Sequence, residues 1–413
     1  MFYRPFKLGA DLNLKSYLFG LNLLIMNQGK MVFAQVMHYA SQDILKNIVK
    51  RYNGDYKKQT FSCWKHFLCM SFGQLTHRES MSDTMLMLKL NKTKLYHLGI
   101  GTPFDKSTVS RTNETRDWRI FQDFGIKLID QAKDLYHGDN QLEIDLKGEV
   151  FSLDSTTIDL CLDVYWWANF RSTKAGIKVH TLLNSKTSIP EFIFITNASV
   201  HDVNILDKIP IEKGNYYVMD KAYVDFNRLY KLHRKGGYFV VRAKENNKYK
   251  KIGSRKVAKG TGIKYDWDVA LTGFYSNQNY PLPLRRIKYF DRELKRTFVF
   301  YTNNRIVKPE TIALLYKSRW MVELFFKWIK QNLKIQSFWG NNENAVRIQI
   351  WVAISTYVLV AIAKKKLGLR HSLYEILQYI SIAPFEKSPL RETFSEKSFL
   401  EMREQKDIQL KIF

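Results

Sequence analysis

Residues 149–162 read EVFSLDSTTIDLCL, a run rich in β-branched and aliphatic residues with an aspartate near its centre. Such enrichment is typical of a β-strand. Its neighbours Phe151, Leu153 and Ile158 predict that the strand is buried, and Asp154 with it. A buried carboxylate without a partner is costly. The stretch therefore predicts a core strand whose acid has either a structural role, in a cap or turn, or a chemical one.

The residues that follow predict the rest of a sheet. Two more strand-like runs, 175–184 and 190–199, come directly after the first. Strands at 215–220 and 238–244 then alternate with helical stretches at 201–209 and 225–236. Three strands in series followed by alternation indicate a mixed α/β sheet. Asp220 ends the strand NYYVMD and is a second acid at a strand position.

Changes in residue composition along the chain predict its division into segments. In residues 245–297, Lys and Arg alternate with Tyr, Trp and Phe, which indicates an inserted basic, β-rich segment. Apolar residues at three- and four-residue spacing predict helices before and after the sheet. The predicted parts are an uncertain leader at 1–25 with Met26 as an alternative start, a helical N-terminal DNA-binding domain at 26–140, a core at 149–244 and 297–366, and a helical C-terminal segment at 367–413.

The charge of the chain limits its partners. The 413 residues include 65 Lys and Arg against 39 Asp and Glu, a net charge of +26. That excess favours a polyanion, with nucleic acid first and an anionic membrane second, over a basic protein that binds neither. The three cysteines form no CxxC pair, which argues against a disulfide framework or zinc knuckle and fits a reducing cytoplasm. Residues 348–363 are free of charge but shorter than the ~20 residues of a membrane span, so we expect a buried core helix and no membrane.

A helix is predicted from about residue 309 to 334, and its segment 316–330 reads YKSRWMVELFFKWIK. At about 100° per residue, a stripe roughly 80° wide carries five of its polar side chains: Tyr316, Arg319, Glu323, Lys327 and Lys330. Apolar side chains cover most of the remaining circumference, which predicts a mostly buried helix with its polar stripe facing a polar site. The alternative is that Glu323 merely pairs with Arg319 and Lys327.

Asp154, Asp220 and Glu323 together suggest a metal site. Converging carboxylates repel one another unless divalent cations neutralise them. Three carboxylates holding two Mg²⁺ ions, which Mn²⁺ can replace, form the site chemistry of phosphoryl transfer on nucleic acid. Donor sets made of oxygen alone favour these ions over zinc.

Residues 102–121, TPFDKSTVSRTNETRDWRIF, contain a candidate recognition helix. A turn at the Pro and Asp precedes a polar stretch with little that is apolar. Short polar groups and Arg after a tight turn suit the second helix of a helix-turn-helix, and an ordinary solvated helix is the alternative. The candidate DNA contacts are Ser107, Ser110, Arg111 and Asn113.

The spacing Tyr316-x2-Arg319-x3-Glu323-x6-Lys330 resembles the Y-R-E-K signature of bacterial insertion-sequence transposases of the "insertion sequence four" type. LDST around Asp154 and MDKAY around Asp220 resemble the first two acidic motifs of that family, with Ala222 where Gly is usual. The gap from Asp220 to Glu323 (323 − 220 = 103 residues) matches the β-strand insertion of these enzymes. The resemblance extends over about residues 26–400 and implies a ribonuclease-H-like fold.

The resemblance also implies a role for each matching position. Asp154, Asp220 and Glu323 would bind the metals, and Tyr316, Arg319 and Lys330 would contact phosphates near the scissile bond. The role of Lys327 stays open between a salt bridge and a DNA contact. In relatives a freed 3′-hydroxyl forms a hairpin, and an aromatic residue of the insertion holds a flipped base. Trp267 is the candidate for that contact, with packing in a hairpin as the alternative.

Three further residues are accessory candidates. Lys178 and His180 in KAGIKVH resemble a recurrent family pattern near the core. Asp202 begins the helix after the third strand, and capping of that helix is its preferred interpretation.

The sequence as a whole predicts a DNA transposase that cuts and joins DNA with Mg²⁺. We expect it to bind terminal inverted repeats and target DNA as double strands, to act as a homodimer in a synaptic complex, with dimer contacts from the C-terminal segment, and to be a cytoplasmic, nucleoid-associated protein. Two alternatives remain: a ribonuclease-H-like nuclease without strand transfer, and a catalytically dead DNA-binding repressor.

Overall fold

The computed structural model describes residues 29–58, 60–142, 144–171, 174–333 and 338–395. The leader and the alternative start at Met26 lie outside these residues, as does the end of the C-terminal segment. The chain divides into two compact units. One contains the residues up to Leu135 together with those from Gln331 onward, and the other is Tyr136–Lys330.

The described helices, numbered along the chain, are α1 (Val32–Met37), α2 (Gln42–Arg51), α3 (Cys63–Leu75), α4 (Met81–Leu90), α5 (Lys106–Thr115), α6 (Arg119–Tyr136), α7 (Phe226–Arg234), α8 (Phe274–Asn279), α9 (Pro309–Lys317), α10 (Trp320–Asn332), α11 (Glu343–Leu367), α12 (Leu373–Ile382) and α13 (Leu390–Thr393). Short 3₁₀ turns include Asp202–Asp207 and Lys221–Tyr223.

The described strands are β1 (Val150–Leu160), β2 (Asn169–Arg171), β3 (Lys174–Asn184), β4 (Pro190–Asn197), β5 (Tyr216–Met219), β6 (Tyr238–Arg242), β7 (Tyr249–Ser254), β8 (Ile263–Leu271), β9 (Leu284–Asp291) and β10 (Arg296–Thr302). They form one mixed sheet in the order β2-β3-β1-β5-β6-β10-β9-β8-β7, with β4 also paired to β3. This confirms the predicted α/β fold.

The pairing of the strands explains where the core lies. β1 is antiparallel to β3 but parallel to β5, and β5 is parallel to β6. A parallel sheet is buried on both faces, and β5 accordingly has every residue buried. One face of the sheet packs on a cluster that includes Leu153 and Met219, and the other on a cluster that includes Val150 and Val218.

The basic insertion continues the sheet. Strands β7, β8 and β9 pair antiparallel with one another, and β9 pairs with β10. The insertion therefore extends the core sheet at the edge next to β10, with α8 between β8 and β9.

Helix α11 belongs to the first unit, whereas the sequence placed it at the end of the core. By length and composition it is apolar enough to cross a membrane, but 94% of its apolar window is buried inside the structure. Even its polar residues Gln349, Ser355 and Thr356 are buried. A helix apolar on all sides needs cover on all sides, and α1, α3, α5 and α12 pack against it.

The described part of the C-terminal segment is hydrogen-bonded to the N-terminal helices and belongs to the same compact unit. The first backbone N–H groups of a helix lack partners within it. At α1, the N–H groups of Val32 and Phe33 donate to the carbonyls of Glu386 and Pro384. The side chain of Gln35 also accepts from the N–H of Leu390 at 2.9 Å.

The predicted single helix over 309–334 is two helices. A turn at Ser318 and Arg319 separates α9 from α10. The Ser318 hydroxyl donates to the carbonyl of Leu315 at 2.7 Å, and the next backbone bonds run to the third preceding residue, as from Met321 to Ser318. A serine side chain that competes for helical carbonyls favours such a tightened turn.

Candidate active site

Asp154 lies in the middle of β1, opposite Thr181 of β3. Its side chain points to the face of the sheet that α9 and α10 cover. One carboxylate oxygen, Oδ1, accepts the backbone N–H of Ser155 at 2.9 Å. The other, Oδ2, lies 2.7 Å from a guanidinium nitrogen of Arg319. Both carboxylate oxygens are therefore fixed.

Asp220 follows the last residue of β5, which runs parallel to β1. The hydroxyl of Tyr316, at the end of α9, donates to its Oδ1 at 3.2 Å. Burial raises the pKa of Tyr316 to about 12, and the nearby Asp220 carboxylate adds to that shift. The phenol is thus protonated at neutral pH and acts as the donor.

Glu323 lies in the first turn of α10. Its Oε1 is 2.5 Å from Arg319, whose other terminal nitrogen holds Asp154. One guanidinium therefore bridges the acid of β1 and the acid of α10. The three side chains are 19–37% exposed, so the bridge is partly screened from water.

The electrostatics of Asp154 connect it with the two other acids. Burial raises the pKa of Asp154 to about 6, and the Arg319 guanidinium opposes that rise. The negative charges of Glu323 and Asp220 raise the pKa further. The structure thus places Asp220 and Glu323 near enough to Asp154 to influence its charge.

The lysines of the polar stripe have different surroundings. Lys330 donates to the backbone carbonyl of Thr157 at 2.8 Å, near the end of β1. Lys327 is exposed and makes no ion pair within the described part of the chain, so Glu323 pairs with Arg319 and not with Lys327.

The predicted burial of this helix holds for one side only. Val322, Phe325 and Ile329 are buried, whereas Trp320 is 60% exposed and Leu324 40%. The turn at Ser318 rotates α10 relative to the ideal continuation of α9, which a helical wheel drawn through both does not allow for.

Trp267 does not face the carboxylates. Residues opposite each other on neighbouring strands share a face, and the register runs through the following pairs: Leu153 with Met219, Met219 with Val241, Val241 with Tyr301, Tyr301 with Arg286 and Arg286 with Trp267. Asp154 follows Leu153 and so points to the other face. Trp267 stacks on Tyr265 with ring centroids 3.7 Å apart, under Lys251. The structure supports packing for Trp267 and not a base contact beside Asp154.

The candidate recognition helix exists as α5, but its surroundings differ from the prediction. The connection from α4 runs over residues 91–105, far longer than the three- to four-residue turn of a helix-turn-helix. Ser107 and Arg111 are exposed and Ser110 is half-buried. Asn113 is fully buried, because it shares the inward side of α5 with Val109. We therefore withdraw Asn113 as a DNA contact.

The accessory residues come together, but not as expected. The 3₁₀ turn that starts at Asp202 has His201 at its N-cap position and no side-chain cap. Asp202 instead accepts the hydroxyl of Ser155 at 2.7 Å and pairs with Lys178 at 3.1 Å. Sequence reasoning missed Ser155, although it directly follows Asp154.

No group of three or more His, Cys, Asp or Glu side chains in the described residues is close enough to hold a metal ion as they stand. Arg319 lies between two of the acids. The donor set nevertheless fits Mg²⁺ or Mn²⁺ in its chemistry, because it consists of carboxylate oxygens alone. The partly buried Asp154 is also a group that a bound cation would keep ionised.

Comparison with known proteins fits this geometry. A family model described as a transposase DDE domain matches residues 145–359, just over half of the chain. The chain belongs to the transposase DDE domain family. The range matched by the DDE family contains all three carboxylates, Tyr316, Arg319 and Lys330. A second model, for a domain of unknown function, matches residues 28–101.

Three relatives of this DDE-family chain carry transposase names. A putative transposase, y4zB, of Sinorhizobium fredii is 37% identical over 52% of the chain and 60% of its own length. A putative transposase for insertion sequence element IS4SA of Synechocystis is 26% identical over 83% of the chain and 94% of its own length. A probable transposase for insertion sequence element IS5377 of Geobacillus stearothermophilus is 30% identical over 50% and 55%. The chain thus spans little more than half the length of two of them.

Proposed function

We propose that this protein is the DNA transposase of an insertion sequence. It binds the terminal inverted repeats of its element, cuts DNA with the help of Mg²⁺ and joins the freed ends to target DNA. The observation that carries this proposal is the bridging of Asp154 and Glu323 by Arg319, with Asp220 near Asp154, within a range that matches a transposase DDE domain. The transposase names of the relatives support it.

Asp154, Asp220 and Glu323 are the residues that would hold the metal ions. Bound divalent ions at such a site lower the pKa of a water or 3′-hydroxyl and stabilise the leaving oxygen of the phosphodiester. The chain itself orients the carboxylates through hydrogen bonds: Ser155 and Arg319 hold Asp154, and Tyr316 holds Asp220.

Arg319, Tyr316 and Lys330 are proposed to contact phosphates of the element's end. A guanidinium can bind phosphate through two parallel hydrogen bonds, and an ammonium acts as a point charge. In this structure the terminal nitrogens of Arg319 bind Asp154 and Glu323, so a phosphate would have to take the place of one of these carboxylates. Exposed Lys327 is proposed to join them, because it has no ion pair among the described residues to give up. These cations account for a small part of the net charge of +26, which supports an extended contact with DNA.

Sequence recognition is proposed for the exposed side of α5, with Ser107, Ser110 and Arg111. Arg111→Ala is expected to weaken binding to the inverted repeat by about 1 kcal/mol or more. Glu114→Ala, on the same exposed side of α5, is the matched control. Footprints that do not change in Arg111→Ala would contradict this assignment.

Cleavage is tested on a supercoiled plasmid that carries the inverted repeats found beside the gene. The wild type is expected to nick it in Mg²⁺ or Mn²⁺ and not in EDTA. A hairpin on the element end, visible on a denaturing gel, would support a cut-and-paste route through that intermediate. No metal-dependent nick would leave the repressor alternative in place.

Joining separates a transposase from a nuclease. Products in which a 3′-hydroxyl of the element is linked to target DNA support the proposal, and nicks without such products favour a ribonuclease-H-like nuclease. We further propose that the active form is a homodimer with two element ends, and that it acts in the cytoplasm on the nucleoid. Gel filtration of the protein with and without paired DNA ends tests the dimer.

A further inference from the structure

The face of the sheet opposite Asp154 carries a second cluster of polar side chains. Side chains alternate between faces along a strand, so Ser155 points away from the carboxylate site. Ser155 is paired with His180 of β3, and Lys178 lies two residues away on the same strand. All three therefore share a face. Asp202, from the 3₁₀ turn between β4 and β5, reaches the same place.

Asp202 is the centre of this cluster. Its Oδ1 accepts the hydroxyl of Ser155 at 2.7 Å and lies 3.1 Å from the ammonium of Lys178. The ammonium also donates to the backbone carbonyl of Val200 at 2.8 Å. His180 is fully buried, and its Nδ1 lies 4.0 Å from the same Oδ1 of Asp202. Its other ring nitrogen, Nε2, forms a hydrogen bond with the hydroxyl of Thr196. Burial lowers the pKa of His180 to about 4, so Lys178 supplies the positive charge.

Ser155 connects the two faces. Its hydroxyl is held by Asp202 on one face, while its backbone N–H donates to Asp154 on the other. A shift of Ser155 therefore moves the donor that orients the Asp154 carboxylate. Hydrogen bonds to a carboxylate are directional, and a misplacement of about 1 Å at a reacting centre can lower a rate about 100-fold.

The cluster also adjoins the second acidic motif. Tyr223 is buried three residues after Asp220, at the end of the 3₁₀ turn that Asp220 begins. The 3₁₀ turn that starts at Asp202 packs against this turn. Burial raises the pKa of Tyr223, and the charges of Asp154 and Asp202 raise it further. Asp202 is thus close to the strand of the first acid and to the turn that follows the second.

We propose that Asp202 is a positioning residue for the cleavage reaction: through the hydroxyl of Ser155 it holds the β1 backbone that orients the carboxylate of Asp154. This role rests on the proposed function, because it serves DNA cleavage at that carboxylate. It goes beyond a structural ion pair, since the pair with Lys178 alone would not require Ser155.

The test is a double-mutant cycle on the full chain. Asp202→Ala and Ser155→Ala each remove one partner of the hydrogen bond, and the double variant removes both. Asp202→Asn keeps an oxygen that can accept from Ser155 but loses the charge facing Lys178. Asp207→Ala is the matched control, because Asp207 lies in the same 3₁₀ turn and pairs with Arg228 at the surface.

The measurements are nicking kcat and KM with Mg²⁺, Mn²⁺ affinity by electron paramagnetic resonance, and thermal unfolding. Asp202→Ala and Ser155→Ala are each expected to lower kcat about tenfold or more, with KM unchanged within about twofold. The double variant is expected to be no worse than the worse single variant, because both break the same bond. Asp202→Asn is expected to recover most of the rate, and Asp207→Ala to match the wild type.

Three results would overturn the positioning role. The first is a kcat for Asp202→Ala within twofold of that for Asp207→Ala. The second is a double variant in which the two losses of kcat multiply. The third is a loss of kcat that accompanies a lower unfolding temperature in both Asp202→Ala and Asp202→Asn. A wild type that nicks while Asp202→Ala also nicks normally refutes this role alone. A wild type that never nicks refutes the proposed function. In that case the Mn²⁺ affinity tests the positioning role by itself. Weaker Mn²⁺ binding in Asp202→Ala but not in Asp207→Ala supports the role, and equal Mn²⁺ binding in the two variants refutes it.

Discussion

The sheet carries two buried clusters of acids with arginine, and they differ in their balance of charge. In the insertion, Arg285 holds both oxygens of Asp266 at 2.8 and 2.6 Å, and both side chains are at most 2% exposed. The remaining nitrogen of Arg285 donates to the carbonyls of Asn304 and Val307. Asp266 also lies 3.6 Å from a second cation, Arg255, so its charge is balanced within the protein and the cluster is closed.

Around Asp154 the balance is different. Asp154 and Glu323 share one guanidinium, that of Arg319, and Asp220 accepts from the hydroxyl of Tyr316. The Asp154 and Glu323 side chains are also more exposed than the Asp266 pair. A closed cluster of this kind holds strands together, whereas acids that share a single guanidinium fit the metal-binding role that we propose for this site.

The largest expected effect is on cleavage. Asp154→Asn keeps the size of the side chain but removes a charge to which we assign metal binding, so nicking is expected to fall about 1,000-fold or more while binding to DNA remains. Plasmid nicking and a gel-shift assay check this, with Asp207→Asn as a surface control. Rapid nicking by Asp154→Asn would place the chemistry elsewhere.

The second prediction concerns folding stability. Asp266→Asn leaves the Arg285 charge buried without its partner, which is expected to cost about 3–5 kcal/mol in the free energy of unfolding. Asp154→Asn is expected to show no such loss. Urea unfolding of both variants beside the wild type measures the difference, and equal losses would erase the distinction between the clusters.

The third prediction concerns pH. The pKa of Asp154 is raised to about 6 from an ordinary value of 3.8, so between these values the folded state binds more protons than the unfolded state. Stability in EDTA is therefore expected to fall as pH rises through this window, by about 3 kcal/mol at most. Asp154→Asn should lack this component and be the more stable protein at pH 7.5. If the free energies of unfolding of the two proteins changed in parallel with pH, the raised pKa of Asp154 would be contradicted.

The smallest effect is expected for Arg319→Lys. An ammonium is a point charge and cannot bridge two carboxylates as the guanidinium fork does. Nicking is expected to fall about tenfold, with the free energy of unfolding changed by less than about 1 kcal/mol, because the site is partly exposed. Arg285→Lys in the closed pair should do the reverse and affect unfolding most. Rate and urea midpoint, measured on both variants, decide this.

The mixed sheet could be predicted from the sequence because it depends on local signals: β-branched residues mark β1, and aromatic residues with one valine mark β5. A glutamate among aromatic residues is also visible without coordinates, and its role with the two aspartates stays a prediction. The turn at Ser318 was missed, since serine is tolerated in helices and its bond to Leu315 depends on the fold around it. The burial of Asn113 was missed for a similar reason, because a polar side chain gives no sign of which side of its helix is covered.

The face of Trp267 was out of reach for a different reason. It depends on the register of five successive strand pairs from β1 to β8, and a shift of one residue at any of them would reverse it. Strand identity can be read from composition, but register is set by long-range pairing.

The turn at Ser318 and Arg319 has a consequence for protein engineering. The turn divides the polar stripe between α9 and α10. The sequence spacing from Tyr316 to Glu323 therefore describes a junction between two helices and not one continuous helix. Adding a single residue there would rotate Glu323 by about 100° relative to Tyr316 and aim it away from β1. Transplanting this motif onto another scaffold would therefore require both helices together with the turn between them. A single straight helix with the same sequence would not present the same site.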